Sequence, residues 1–192
     1  MAAEIEREEN KRIRNRILAM IIPITIENIL QMMTGFVSMA MIGRIDAIAV
    51  GALGISNRIT QIIWALFNGI ATGVTVFVAQ AYGSNNREKI KKVAIQSLMA
   101  SVILVVILQQ IIFWNASNIL KIFDPNDVLL QNGTMYLKIS SWGLPFITIV
   151  LIVAGILHGV GNTKTPMQIV LIMNIMNIFF SYILIFGKFG IS

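Results

Sequence analysis

The sequence predicts an all-α membrane protein, a polytopic bundle of five transmembrane helices, and two observations lead to that prediction. Five apolar stretches run through the 192 residues, over about 17–42, 60–82, 93–114, 139–160 and 166–187. Each has roughly the 20 apolar residues that a helix needs to cross a bilayer. Hydrophobic residues make up 56% of the chain and charged residues only 12%, about half the charged fraction of ordinary soluble domains. Lipid is therefore the expected solvent.

The basic residues predict the orientation of this bundle. About ten of them lie in a charged leader over residues 1–16 and in the second and fourth connections, whereas Arg44, Lys121 and Lys188 lie on the opposite side. By the positive-inside rule, the leader and the N-terminus are cytoplasmic and the protein is a multi-pass protein of the plasma (cytoplasmic) membrane. This division of the positive charge between membrane faces argues against a nucleic-acid partner.

Local signals predict the ends of the first three helices. The first span carries Pro23, which removes one backbone hydrogen bond and predicts a kink. The second helix is expected to begin around Ala47 and to end at the turn that starts with Gly83. The third span is expected to stop near Trp114, an aromatic residue typical of the membrane interface.

The last two spans have proline at or near their starts. Asp124 and Pro125 predict the start of the fourth helix, as N-cap and first helical residue, over about 125–158. Pro145 predicts a kink within it. A short linker then leads to Pro166, where the fifth span is expected to start before it closes at Phe186–Gly187.

Polar side chains within the spans are candidates for a substrate or coupling-ion site, because such residues are costly in a membrane. They recur every three or four residues on the first and fifth spans, and Asn68 belongs to a looser stripe on the second. The candidates are Glu27, Gln31, Thr34, Ser38, Asn68, Asn174, Asn177 and Ser181. Three such stripes can line a water-accessible cavity. Alternatively, the uncharged members hydrogen-bond between helices and serve packing alone.

Glu27 differs from the other candidates because an ionisable carboxyl at membrane depth needs a partner or a proton. It lies one turn after Pro23, where the helix backbone is loosened. We predict that Glu27 handles a proton or cation or contacts the substrate, with structural pairing as the alternative.

Other motifs limit the remaining function classes. The sequence has no cysteine, no group of side chains with metal-site spacing and no Walker motif, so we expect no enzyme, no structural metal and no organic cofactor. Gly69 and Gly73 form one GxxxG pair and Gly155 and Gly159 another, and this spacing predicts close helix approach.

Three segments resemble a known transporter family. The second span reads GIATGVTVFVAQAYGSNNREKIKK, the junction of the last two spans reads LHGVGNTKTPM, and the first span opens PITIENILQMMTGFVSMAMIGRI. These segments resemble the signatures of the multidrug and toxic compound extrusion (MATE) transporters, and the resemblance covers nearly all of residues 15–190. The family's linker motif corresponds here to Gly159, Gly161, Asn162, Thr163, Lys164, Thr165 and Pro166.

The resemblance implies an antiporter with twelve helices in two six-helix (6+6) lobes. Such a protein exports small organic, mostly cationic compounds by alternating access against inward sodium or protons. This chain would supply the first five helices of the N-terminal lobe, truncated before the sixth, with the C-terminal lobe missing. The alternatives are a flippase of lipid-linked precursors from the wider superfamily and a non-transporting truncated membrane protein.

Two departures from the family pattern concern ion coupling. The family commonly has aspartate where Ser38 and Ser181 stand, whereas Asn177 matches a family position for cation binding or hydrogen bonding. Serine does not ionise at physiological pH. Coupling within this lobe would therefore rest on Glu27, its one intramembrane carboxylate, or else on acids of the C-terminal lobe.

Overall fold

The computed structural model describes residues 2–43 and 47–185, which form six helices joined by short turns. The helices are α1 (Ala2–Ile42), α2 (Ala47–Gly83), α3 (Arg87–Lys121), α4 (Asp127–Ser141), α5 (Leu144–Gly159) and α6 (Lys164–Ile185). Four of these helices are long and apolar enough to cross a membrane, and the bent pair α4–α5 meets the same criteria as one span. The predicted all-α bundle with five apolar spans is confirmed, as are the predicted ends of α2.

The helices group into two compact units, one built on α1 and α6 and the other on α2 to α5. In the first unit, α1 is one helix in which the charged leader continues into the apolar span. Pro23 lies inside this helix, and the kink expected there stays a prediction. The predicted end of the last span at Phe186–Gly187, and the charges Arg44 and Lys188, lie outside the described residues.

The core of the α2–α5 unit is built from stripes of buried residues that recur every three or four positions, the period of a helix. On α3 the stripe consists of Ser101, Val105, Gln109, Ile112, Ala116 and Leu120. Phe67 of α2 and Leu137 of α4 are almost fully buried in the same cluster. Because lipid is as apolar as these side chains, close packing rather than removal from water holds the unit together.

The helices α2 and α5 approach each other closely at the second glycine pair. A Cβ added to Gly155 would lie 2.6 Å from the backbone oxygen of Ala71, and one on Gly159 would lie 2.7 Å from the Cβ of Val78. The Thr75 hydroxyl, within this contact, lies 2.9 Å from both the Gly155 carbonyl and the Ala71 carbonyl and can donate its one proton to either. The close approach predicted for this pair is confirmed.

The first glycine pair behaves differently. A Cβ on either Gly69 or Gly73 would meet nothing within 4 Å, and Gly69 is exposed. The predicted close approach at this pair is wrong for the part of the chain that the structure describes. Both pairs have the same spacing, but the α2 pair does not lie on a face that meets another helix of its unit.

The fourth span is broken into α4 and α5, whose axes are bent by 48°. Pro145 explains the break, because it has no N–H to donate to the carbonyl of Ser141 one turn earlier. The expected kink is thus confirmed, and the break itself falls at Trp142, just before the proline. The buried stripe continues across it through Leu144 and Thr148, so both halves present the same face to the core.

The α3 helix extends beyond the third apolar stretch. It continues two turns past Trp114 to Lys121, and the end of the membrane span near Trp114 stays a prediction. Its buried stripe goes on through Ala116 and Leu120, which pack in the core of the unit. These contacts stabilise the last two turns of α3, which lie beyond the end of the apolar stretch.

The start of α4 also differs from the prediction. Asn126, not Asp124, is the N-cap, and its side chain accepts a hydrogen bond of 2.9 Å from the N–H of Leu129. Asp124 has φ 47°, in the left-handed region that aspartate tolerates better than most residues. Its N–H donates to the Lys121 carbonyl, so this residue closes α3 instead of starting α4.

Candidate functional site

The residues of the polar stripe predicted on α1 differ in how deeply they are buried. Glu27 is the buried member, with 6% of its surface exposed, whereas Gln31, Thr34 and Ser38 are half-buried. Gln31 Nε2 donates a long hydrogen bond of 3.5 Å to Glu27 Oε1. Pro23, one turn before Glu27, is buried as well. The carboxyl group therefore lies on the inward side of the helix.

Asn174 connects α6 to this part of α1. Its Nδ2 donates a hydrogen bond of 2.8 Å to the carbonyl of Leu30. The Thr34 hydroxyl donates to the same carbonyl at 3.0 Å. Leu30 belongs to the helical turn from Glu27 to Gln31, so the structure brings Asn174 to the turn that holds the buried carboxyl.

Within the α1–α6 unit, the remaining predicted site residues do not join this group. Asn177 on α6 is exposed and Ser181 is half-buried. Within the described ranges, neither these two side chains nor Ser38 makes a hydrogen bond. Asn68 is half-buried on α2, in the other unit, and its carbonyl accepts a bond of 2.9 Å from the Thr72 hydroxyl. Within the α1–α6 unit, only Glu27, Gln31, Thr34 and Asn174 of the predicted set therefore meet in one arrangement.

The arrangement around Glu27 is small. The amide nitrogen of Gln31 faces its carboxyl group at 3.5 Å, and the amide nitrogen of Asn174 donates to the carbonyl of Leu30 on the same turn. A carboxyl group can bind a hard cation through its oxygens or carry a proton. Among the described residues, no group of three or more His, Cys, Asp or Glu side chains could hold a metal ion.

The linker motif before α6 has a structural role. Gly161 has φ 83°, a conformation that glycine adopts at no steric cost. The Asn162 side chain accepts a hydrogen bond of 3.2 Å from the N–H of Thr165. It thereby caps α6, which begins at Lys164 with Pro166 in its first turn.

Several buried polar residues of the α2–α5 unit are not singled out by the sequence. They are Ser56, Ser101, Gln109, Ser141 and Thr148. The Ser56 hydroxyl donates to the carbonyl of Gly133 at 3.2 Å and so joins α2 to α4. Gln109 Nε2 has no hydrogen-bond partner among the described residues. The signal that could reveal Gln109 is its helical spacing from Val105 and Ile112.

Comparisons with known proteins agree with this architecture. A family model described as MatE matches residues 23–183. The probable multidrug resistance protein NorM of Thermotoga maritima is 30% identical over 188 residues, which cover 97% of this chain and 40% of that protein. The uncharacterized transporter YisQ of Bacillus subtilis is 32% identical over 169 residues, covering 88% of this chain and 37% of that protein.

Solved structures show the same fold. A MOP superfamily transporter from Pyrococcus furiosus matches with a TM-score of 0.85 at 21% identity, over 92% of this chain and 39% of that one. The chain therefore spans about 40% of the length of the curated relatives and solved structures that it matches.

Proposed function

Because the chain belongs to the MatE family of membrane transporters, we propose that it provides the first five membrane spans of a cation-coupled antiporter. The complete protein would export drug-like, mostly cationic compounds against inward sodium or protons. The family relationship supports the transport class, and the NorM relative is itself named as a probable multidrug resistance protein. The observation that carries the proposal of ion coupling is the buried Glu27 carboxyl group beside Gln31.

In the proposed mechanism, Glu27 alternates between an ionised and a neutralised state. An ionised carboxylate at membrane depth is costly, and a bound proton or sodium ion removes most of that cost. Neutralisation therefore changes the free energy of any conformation in which Glu27 is buried. Through the hydrogen bond of Asn174 to Leu30, α6 contacts the same turn of α1. Binding at Glu27 can thereby favour one of two arrangements of these helices, as alternating access requires.

We further propose that the transport cycle needs a second lobe. The chain covers only about 40% of the NorM relative. Large apolar side chains are exposed along the first unit, among them Met32 and Phe36 of α1 and Phe179 of α6. Exposed apolar surface of this kind fits contact with lipid and with further helices.

Replacing Glu27 tests the coupling role. In the full-length transporter, Glu27→Gln keeps the side-chain shape but cannot ionise, so we expect dye efflux from cells to fall about tenfold or more. The residual efflux should no longer respond to a sodium or pH gradient. Glu88→Gln is the matched control, because Glu88 is an exposed carboxylate in the first turn of α3. Unchanged efflux with unchanged ion dependence in Glu27→Gln would contradict the assignment.

A separate measurement tests the need for a second lobe. The 192-residue chain, reconstituted alone into liposomes, should not move a cationic dye in response to an imposed sodium or proton gradient. Adding the rest of the transporter, the sixth helix together with the second lobe, as a separate polypeptide should restore transport. Dye movement by the chain alone would refute this part of the proposal.

A further inference from the structure

A groove of about 630 Å³ lies on α2 in the α2–α5 unit. It is lined by Ile55, Arg58, Gln61, Ile62 and Ala65 of α2 and by Phe123 from the turn after α3. Its volume lies within the range of roughly 300–1,000 Å³ that is usual for small-molecule sites. By helical spacing, Arg58, Ile62 and Ala65 lie on the face of α2 opposite the buried stripe that includes Phe67.

Arg58 provides the one charge among the residues that line this groove. It is exposed, and among the described residues it forms no ion pair or hydrogen bond. Arg58 lies four residues into the apolar span of Gly54–Gly83, a depth at which a long basic side chain reaches the headgroup region. A guanidinium group there is well suited to bind phosphate or carboxylate oxygens.

An apolar track follows Arg58 along the same face of α2. Ile62 is 70% exposed, and Phe123, on the opposite wall, is 45% exposed. Ala65 and Gly69 continue the face one and two turns further. From Arg58 to Gly69 the helix rises about 16 Å, which is comparable with the length of much of an acyl chain. A positive end and an apolar track together fit an amphipathic anion.

We propose that this groove binds a membrane lipid with an anionic headgroup. The headgroup phosphate accepts hydrogen bonds from Arg58 and from the Gln61 amide, and the acyl chain lies along Ile62 and Ala65 and against Phe123. Charge complementarity at Arg58 selects this lipid over a zwitterionic one. The proposal does not depend on transport, because it concerns binding to one helix face.

A site-specific quenching experiment tests this binding. The chain has no cysteine, so a single Gly69→Cys substitution provides one labelling position, and a Cβ at Gly69 meets nothing within 4 Å. The labelled chain, carrying a bimane fluorophore in neutral detergent, is titrated with phosphatidylglycerol or phosphatidylcholine that have identical brominated acyl chains. We expect phosphatidylglycerol to quench the label at about fivefold lower concentration, since one basic residue near the surface contributes roughly 1 kcal/mol to binding an anionic lipid.

Two variants and a second labelling position control this experiment. Arg58→Gln should abolish the preference for phosphatidylglycerol, and Arg58→Lys, which keeps the charge, should retain it. A label at Ala100→Cys, on the exposed surface in the middle of α3, should be quenched equally by both lipids. Equal quenching at position 69 of the otherwise native chain, or a preference that survives Arg58→Gln, would overturn the proposal.

Discussion

The contact between α2 and α5 predicts that Gly155→Ala destabilises the chain. The new Cβ would lie 2.6 Å from the backbone oxygen of Ala71, about 0.8 Å short of the 3.4 Å at which ordinary van der Waals contact begins. Because a carbonyl oxygen of a helix cannot rotate away, the two helices must separate. Overpacking of this kind costs about 1–3 kcal/mol. Separation also weakens the hydrogen bond from Thr75, for which about 0.6 kcal/mol is typical in a membrane bundle.

The intrinsic preference of alanine for helix acts in the opposite direction and defines the control. Alanine is favoured over glycine in a helix by about 0.5–1 kcal/mol, so the net loss in Gly155→Ala is about 1–3 kcal/mol. At Gly69, where a Cβ meets nothing within 4 Å, the same substitution should stabilise the chain by about 0.5–1 kcal/mol. The two variants therefore differ in sign, although both alter a glycine of a GxxxG pair.

Reversible unfolding by sodium dodecyl sulfate in mixed micelles, followed by far-ultraviolet circular dichroism, measures both free energies in the same 192-residue chain. Gly73→Ala repeats the control at a second position without a nearby atom. A Gly155→Ala variant as stable as the native chain would refute the reasoning, as would destabilisation of equal size at Gly69.

Two further substitutions test individual hydrogen bonds, each with its own control. Asn126→Ala removes the cap of α4 and should lower the free energy of unfolding by about 1 kcal/mol. Amide exchange at Leu129 should become faster in this variant. In the control Asp124→Gly, glycine keeps the left-handed turn accessible, so the exchange rate at Leu129 should not change. Slower unfolding in Asn126→Ala would contradict this cap assignment. Asn174→Leu removes the hydrogen bond from α6 to α1 and should lower the free energy of unfolding by about 0.6 kcal/mol in the same assay. The control Asn177→Leu, at an exposed position, should not change this free energy measurably. An equal decrease in both variants would show that Asn174 has no specific role.

The apolar spans and most of their ends are predictable because their signals are local. The start of α2 at Ala47 and its end at Gly83 follow from an uninterrupted helical stretch and a turn rich in glycine and asparagine. Trp114 gives no signal for the end of α3, because an interfacial aromatic marks where the lipid ends rather than where the helix ends. The buried Ala116 and Leu120 extend α3 through tertiary contacts that a hydropathy window does not include.

The wrong predictions, the N-cap of α4 and the close approach at the first glycine pair, arise where two local signals in the sequence are equally strong. Asp124 and Asn126 flank Pro125, and both residue types are good N-caps, so the choice between them depends on how α3 closes. The two GxxxG pairs are likewise identical in spacing, and only the position of a neighbouring helix distinguishes them. The same limit applies to the candidate site. The stripe on α1 is evident from spacing, but the contact of Asn174 with Leu30 joins residues 144 positions apart, and one sequence contains no signal for that pairing.

Neither half of the fourth span is long enough to cross a membrane by itself. The α4 helix has 15 residues and α5 has 16, whereas about 20 are needed to cross the hydrocarbon core. The α5 half is almost wholly apolar, but α4 carries Asp127 and Lys138. The transfer of α4 into lipid is therefore less favourable than that of α5. During synthesis α2 and α3 emerge first, and they supply α4 with contacts such as the hydrogen bond from Ser56 to Gly133. We therefore expect the insertion of this span to depend on contacts with the helices that precede it.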